Sequence, residues 1–109
     1  MHKSAAAEDR IFIALADPSR RAIFVSLTRG EAAVKDLTSR FEISQPAVSQ
    51  HLAALKDAGL VKDRRDGRFV YYRVEPKGMK PLIDWISHYR AFWKEHAVRL
   101  EKLLEKMDE

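Results

Sequence analysis

Residues 43–61, ISQPAVSQHLAALKDAGLV, constrain the fold more strongly than any other segment of the chain. Ser44 is a good N-cap, because its hydroxyl can accept a hydrogen bond from a free N–H group of the first helical turn. Pro46 falls in that turn, where its missing N–H costs little. Three apolar residues then recur with helical spacing: Val48, Leu52 and Leu55. The segment predicts a short helix with one buried side, and Gly59 ends it.

The opposite side of this helix carries small and polar side chains. They are Gln45, Ser49, Gln50, Ala53 and Lys56. A helix that contacts base edges in a DNA major groove needs amide and hydroxyl groups on a face without bulky side chains, and this face has them. An ordinary amphipathic surface helix has the same pattern, so the neighbouring segments decide between the two interpretations.

A second short helix precedes this one and meets it through a tight turn. Its apolar side consists of Val34, Leu37 and Phe41. Only Glu42 and Ile43 separate it from Ser44. Two short helices joined in this way form a helix-turn-helix, here over residues 34–58.

Two further helices are predicted upstream. The first contains Ile11, Phe12 and Leu15. The second runs over about residues 19–27, with Asp17 as its cap and Pro18 at its first position. Arg20 and Arg21 begin this second helix, where either a phosphate contact or a structural ion pair fits them.

Residues 61–74 predict a β-hairpin. The apolar period changes here from 3.6 to 2, and two runs with strand spacing flank Asp66-Gly67. Asp-Gly between two such runs is a strong hairpin signal, because both turn residues need positive φ. Residues 62–73 hold five Lys and Arg against two Asp, a local excess of three positive charges. A basic hairpin directly after a helix-turn-helix is a wing.

One long helix is predicted over residues 77–107, with Pro81 marking its first turn or a kink. Its apolar residues alternate steps of four and three, a heptad-like stripe. A helix of about 30 residues is roughly 45 Å long, more than so small a domain covers alone. We therefore expect a homodimer whose interface is formed by this helix and the first one. The expected interface residues are Ile11, Leu82, Ile86, Tyr89, Trp93, His96, Leu100 and Leu103.

Composition limits the class of protein. The 109 residues suit a single domain over residues 1–109, with a net charge of +4 that is compatible with a nucleic-acid partner. The sequence contains no cysteine, which excludes disulfides, thiolate metal ligands and a cysteine nucleophile. No apolar run approaches the roughly 18 residues that span a bilayer, and the first residues lack a secretory apolar region. These features predict a cytoplasmic protein without a membrane partner.

Three segments together resemble the ArsR-type winged-helix repressors of bacteria. They are LADPSRRAI at residues 15–23, the segment 43–61, and GRFVYYRV at residues 67–74. The resemblance implies a mainly α fold with a small β-hairpin wing, a winged helix-turn-helix of order α-α-α-α-β-β-α. It also implies a dimer through the first and last helices. Such proteins bind an imperfect palindrome in double-stranded promoter DNA and repress transcription, often of their own operon.

The chain departs from the metal-sensing branch of this family. That branch carries a cysteine-containing motif near the recognition helix, where this chain has FEIS at residues 41–44. Another sensing site of the branch uses Asp-x-His followed by further ligands on the last helix. In the corresponding segment this chain has Asp84, His88, His96 and Arg99. The sequence is similar to a cysteine-less branch, for which we predict no metal and no other cofactor.

The predicted DNA contacts are of three kinds. Base-edge contacts are expected from Gln45, Ser49 and Gln50. Phosphate contacts are expected from Lys56, Arg64, Arg65 and Arg68, with an arginine of the wing tip entering the minor groove as one variant. Apolar contacts with thymine methyls are expected from Pro46 and Ala53, and Ser44 either donates to a phosphate or only caps the helix.

Other function classes have less support. The sequence shows no Gly-rich phosphate loop, no paired carboxylates and no Ser/His/Asp set, so an enzyme is not expected. Two binding alternatives stay open: a metal- or small-molecule-gated sensor on the same scaffold, and a winged helix that binds only proteins. No residue pattern points to a particular effector, although the aromatic residues of the last helix could line a cavity between subunits. Whether such a protein represses or activates transcription depends on where its DNA site lies relative to the promoter, so activation also stays open.

Overall fold

The computed structural model describes the backbone of residues 3–108 and the side chains of residues 7–108. The elements are α1 (Lys3–Ala16), α2 (Pro18–Leu27), β1 (Ala32–Ala33), α3 (Val34–Phe41), α4 (Gln45–Asp57), β2 (Val61–Asp66), β3 (Phe69–Val74), a 3₁₀ turn (Pro76–Met79), α5 (Lys80–His88) and α6 (Arg90–Asp108). The predicted fold is confirmed: it is mainly helical, and a small hairpin wing follows a helix-turn-helix.

The predicted caps of α2 and α4 are both present. Asp17 Oδ1 accepts a hydrogen bond from the backbone N–H of Arg20 at 3.0 Å, and this bond lowers the pKa of the Asp17 carboxyl. Ser44 Oγ accepts from the backbone N–H of Ala47 at 3.2 Å. Between α3 and α4 the chain passes through Glu42, whose φ of 53° lies in the left-handed region. The left-handed Glu42 ends α3 and, with Ile43 and Ser44, forms the tight turn of the helix-turn-helix.

One apolar core joins α1 to α4 and the start of the wing. Its buried members are Ile11, Ala14, Ile23, Leu27, Ala32, Leu37, Val48, Leu52, Leu55, Leu60 and Val61. The stripe predicted on α4 is wholly inside it, because Val48, Leu52 and Leu55 are each 0% exposed. Burial of such side chains contributes about 1.5–3 kcal/mol each. This anchoring fixes the rotation of α4 and directs its polar side away from the core.

Arg20 and Arg21 have a role that the sequence did not suggest. Arg21 Nη1 donates to the carbonyl oxygens of Leu15 at 2.7 Å and Ala16 at 3.3 Å. Arg20 Nη1 donates to the carbonyl oxygen of Ala14 at 3.4 Å. The last carbonyls of a helix have no partner within that helix. The two arginines therefore complete the end of α1 and hold it against α2, and neither forms an ion pair among residues 7–108.

The sheet has three strands in the order β1-β3-β2, all antiparallel. The two-residue β1 was not predicted, because nothing in its own sequence distinguishes Ala32-Ala33 from a loop. These residues pair with Tyr72 and Tyr71, about forty positions along the chain. Pairing between distant segments, and not local propensity, creates this strand.

The wing turn lies one residue later than predicted. Asp66 pairs with Phe69, so Gly67 and Arg68 are the two central residues of the turn. Gly67 has a φ of 62°, whereas Asp66 does not have a positive φ. One left-handed glycine at the first central position is typical of a type II′ hairpin turn. This register places Arg68 at the tip of the wing.

The single helix predicted over residues 77–107 is also corrected. The segment begins with a 3₁₀ turn and is interrupted at Tyr89, whose φ and ψ of −105° and 15° are not helical. The N–H of Tyr89 bonds to the carbonyl of Ile86, three residues back, so the last turn of α5 is tightened. The Tyr89 ring packs at 5.3 Å from the Trp85 ring and at 4.9 Å from that of His88. This aromatic cluster accompanies the break between α5 and α6.

One expected interface residue lies inside the protomer. Ile11 is 1% exposed and packs in the core. The outer side of α1 instead presents Phe12, whose ring meets that of Trp85 edge-on at 5.5 Å, and Ile13, which is exposed. Any interface that includes α1 would therefore use these two neighbours and not Ile11.

Candidate nucleic-acid interface

The exposed side of α4 is continuous and uncharged over its first half. All predicted base-contacting residues are exposed on this helix: Gln45, Ser49 and Gln50. Pro46 and Ala53 are exposed as well, and neither is large enough to obstruct contact with a groove. Because the opposite side of the helix is buried, this surface is held rigidly at the protein exterior. Its amides are free to approach the edges of bases.

The Ser44 hydroxyl has a structural role, since its oxygen caps α4. A capping oxygen can still donate its own proton to an acceptor such as a phosphate. The cap is observed, and the phosphate contact stays a prediction.

Lys56 connects α4 to the wing. Its Nζ lies 3.1 Å from Asp63 Oδ1, and this hydrogen bond raises the pKa of the Lys56 ammonium group. The lysine side chain is still 51% exposed. An exposed ion pair of this kind contributes about 0.2–1 kcal/mol, so Lys56 can exchange its partner for a phosphate at little cost.

Arg64 is committed to a partner within the chain. Its Nε and Nη2 donate to the two carboxylate oxygens of Glu31 at 2.9 and 2.6 Å. This hydrogen bond raises the pKa of Arg64 and lowers the pKa of the Glu31 carboxyl. The guanidinium also lies 4.6 Å above the Tyr71 ring. In this geometry Arg64 ties the wing to the segment before β1. Its phosphate contact stays a prediction, and such a contact would require Arg64 to leave Glu31.

Besides Arg73 of β3, the wing arginines with accessible charge are Arg65 and Arg68. Neither forms an ion pair among residues 7–108. Arg65 lies opposite Val70 in the hairpin and shares a strand face with Asp63 and Tyr72. That is the face toward α4 and the core, where burial raises the pKa of Tyr72. The two arginines thus extend the polar surface of α4 with positive charge.

Removing the charge of Arg65 should weaken DNA binding without regard to sequence. We expect Arg65→Ala to lower affinity equally for specific and shuffled duplexes, and to reduce the magnitude of the salt slope by about one. Arg64→Ala is the matched control, because its charge is already occupied by Glu31 and its loss should leave the slope nearly unchanged. Fluorescence anisotropy across a salt series measures both. An equal reduction for the two variants would contradict the assignment.

Three of the four residues considered for metal binding, Asp84, His96 and Arg99, form other contacts. Asp84 Oδ2 accepts from Lys80 Nζ at 2.7 Å, and Arg99 pairs with Glu95 at 2.5 Å. The Nδ1 of His96 lies 2.9 Å from the carbonyl oxygen of Phe92. Among the described residues, no three His, Cys, Asp or Glu side chains are grouped so that they could hold a metal ion.

A long apolar surface runs along α5 and α6. Every residue of α6 from Arg90 to Asp108 is exposed, including its apolar ones. The exposed large apolar residues of the two helices are Ile83, Ile86, Tyr89, Phe92, Trp93, Val98, Leu100, Leu103, Leu104 and Met107. They include most of the predicted interface residues, while Leu82 packs partly against the core. No helix within the described residues combines the length and apolar character needed to cross a membrane.

Comparison with known proteins gives consistent matches. The family model described as "Bacterial regulatory protein, arsR family" matches residues 17–63. "Transcriptional repressor SdpR" of Bacillus subtilis is 35% identical over 81 residues, which cover 74% of this chain and 90% of the relative. "HTH-type transcriptional regulator Rv2034" of Mycobacterium tuberculosis is 47% identical over 97 residues, 89% of this chain and 88% of the relative. The crystal structure of "ArsR family transcriptional regulator, RHA00566" has a TM-score of 0.73 at 31% identity, covering 81% of this chain and 97% of that chain.

Proposed function

Because this chain belongs to the ArsR family of DNA-binding transcription regulators, we propose that it is a homodimeric repressor that binds an imperfect palindrome, including one at its own promoter. The observation that carries the proposal is the exposed amide and hydroxyl surface of α4 beside Arg65 and Arg68. The amides and hydroxyls of α4 suit direct contact with base edges, and the two arginines suit attraction to the phosphate backbone of DNA. Its place of action is then the cytoplasm, where bacterial DNA lies.

The unpaired apolar surface of α5 and α6 supports a dimer. Trp93, Leu100 and Leu103 are 47%, 56% and 56% exposed. The radius of gyration is 17.8 Å, whereas a compact domain of this length has about 13 Å. The difference reflects α6, which extends from the core without packing on it. Exposed apolar patches of this size in a globular protein mark an interaction surface, and a second copy offers an identical apolar stripe.

Two α4 helices in such a dimer should enter successive major grooves on one side of the duplex. The spacing of half-sites for helix-turn-helix dimers is about 34 Å, or one helical turn. We expect footprinting of the DNA upstream of this gene to show two protected half-sites about one turn apart, and a reporter from that promoter to be repressed by the protein. Protection of a single half-site would contradict the dimeric mode, and an activated reporter would contradict repression.

The two glutamines of α4 should carry sequence preference. Each of Gln45→Ala and Gln50→Ala should cost roughly 1–3 kcal/mol at a specific site and relax its preference at one base pair. Competition between the native duplex and single-base variants measures this loss. Lys102→Ala, on the polar side of α6 and away from α4, is the control and should keep the wild-type ratio of specific to shuffled binding. If a glutamine variant keeps the full ratio of specific to shuffled binding, that glutamine does not contact bases.

A further inference from the structure

A groove of about 250 Å³ lies between the start of α4 and the tip of the wing. Its polar lining side chains are Lys35, Gln45 and Arg68, and no carboxylate lines it. Lys35 belongs to the first turn of α3, so three separate elements converge here. Two cations and one amide around a small open groove have the charge and donor groups that a single phosphate group needs.

Lys35 is held at this groove by an aromatic ring. Its Nζ lies 4.7 Å from the centroid of the Phe69 ring, within cation–π distance. The neighbouring Asp36 forms no ion pair with it, and Asp36 Oδ2 instead accepts from the backbone N–H of Ala33 at 3.2 Å. Lys35 forms no ion pair in the part of the chain that the structure describes. Its charge is therefore oriented by the protein and still available to a ligand.

Phe69 lies outside the apolar core. It is the first residue of β3 and is 41% exposed, beside the turn at Gly67 and Arg68. Its ring lies 6.3 Å from that of Tyr71 on the same strand and presents its face to Lys35. The ring limits the many rotamers of the lysine stem, and this lowers the entropy lost when the ammonium group binds.

We propose that this groove binds one phosphate of the DNA backbone, with Lys35 as a direct contact and Phe69 as the residue that positions it. The inference rests on the proposed function and adds a contact from the first helix of the helix-turn-helix. Gln45 lines the same groove. A phosphate fixed here would set the register of α4 on the duplex, so that its amides meet particular base edges.

Fluorescence anisotropy of the full chain with its upstream duplex and a shuffled duplex tests this. One phosphate contact contributes a salt slope of about 0.9, equivalent to about eightfold in affinity at 0.1 M salt. Lys35→Ala should lose about this factor on both duplexes, and its slope should be smaller by about one. Lys102→Ala, which removes the same charge from the polar side of α6, should bind like the wild type.

The role of Phe69 needs its own comparison. Phe69→Leu should lose about two- to threefold in affinity. Phe69→Tyr keeps an aromatic ring and should bind DNA like the wild type. In a protein that already carries Lys35→Ala, Phe69→Leu should cause no further loss of affinity. Equal costs of Phe69→Leu with and without Lys35 would overturn the positioning role. Wild-type affinity of Lys35→Ala, while Arg65→Ala is weakened, would overturn the groove as a phosphate site. Failure of the wild type itself to bind either duplex would instead overturn the proposed function.

Discussion

Replacing Trp93 with glutamate should convert the protein from dimer to monomer. The side chain is 47% exposed in the protomer, so a carboxylate there is solvated and the fold of one chain is retained. In a dimer formed through α5 and α6, the same carboxylate would be buried in an apolar seam without a partner. Burial of an unpaired charge costs several kcal/mol. Dissociation should also lower operator affinity by about 10²–10⁴, because the two half-sites are no longer bound together.

Sedimentation velocity of the purified variant measures the first effect, and binding to the palindrome measures the second. Lys102→Glu is the matched control, since Lys102 lies on the opposite side of α6 from Trp93 and should leave the dimer intact. A dimer that survives Trp93→Glu with the wild-type dissociation constant would place the interface elsewhere.

Gly78→Ala should destabilise the junction between the wing and the C-terminal helices. Gly78 lies in the 3₁₀ turn, and an added Cβ would overlap the carbonyl oxygen and carbon of Gly59 at the end of α4. The obstacle is backbone, which cannot rotate away as a flexible side chain does. The N–H of Glu75 also bonds to the carbonyl of Leu60 at 2.9 Å, so the two segments are held together from both sides. Overpacking costs about 1–3 kcal/mol and more when backbone must move.

Chemical denaturation followed by circular dichroism measures this loss as a lower midpoint. Lys77→Ala, one position earlier in the same turn, is exposed and should change the midpoint little. If Gly78→Ala unfolds at the wild-type midpoint, the close approach of the turn to Gly59 does not persist in solution.

Local signals in the sequence predicted most of the fold. The caps Asp17 and Ser44 follow from side chains at the starts of α2 and α4. The stripe of α4 follows from helical spacing, and the wing follows from strand spacing around a glycine turn. These features depend on residues that are close in sequence, so a segment of ten or twenty residues is enough to predict them.

The parts that were missed depend on distant residues. β1 exists because Ala32 and Ala33 pair with the second wing strand. Arg64 forms an ion pair with Glu31, which lies 33 positions earlier in the chain, and no spacing rule relates two residues so far apart. Lys35 and Phe69 likewise meet only after folding.

The exposure of the candidate site could therefore be predicted on α4, whereas the ion pairs of the wing could not. A single amphipathic helix determines which residues of α4 are exposed, and all of its predicted contacts are exposed. On the wing, exposure alone does not show which arginine is free, because the answer depends on where carboxylates from other elements lie. The hairpin register added a further difference by placing Arg68 at the tip of the turn.

Fluorescence anisotropy with the duplex upstream of this protein's own gene, compared with a shuffled duplex over a salt series, tests the central claim most directly. The account predicts nanomolar binding to the native duplex, a preference of at least about a hundredfold, and a steep negative salt slope from several phosphate contacts. No binding to either duplex, even at low salt, would contradict it and leave the winged helix as a protein-binding module.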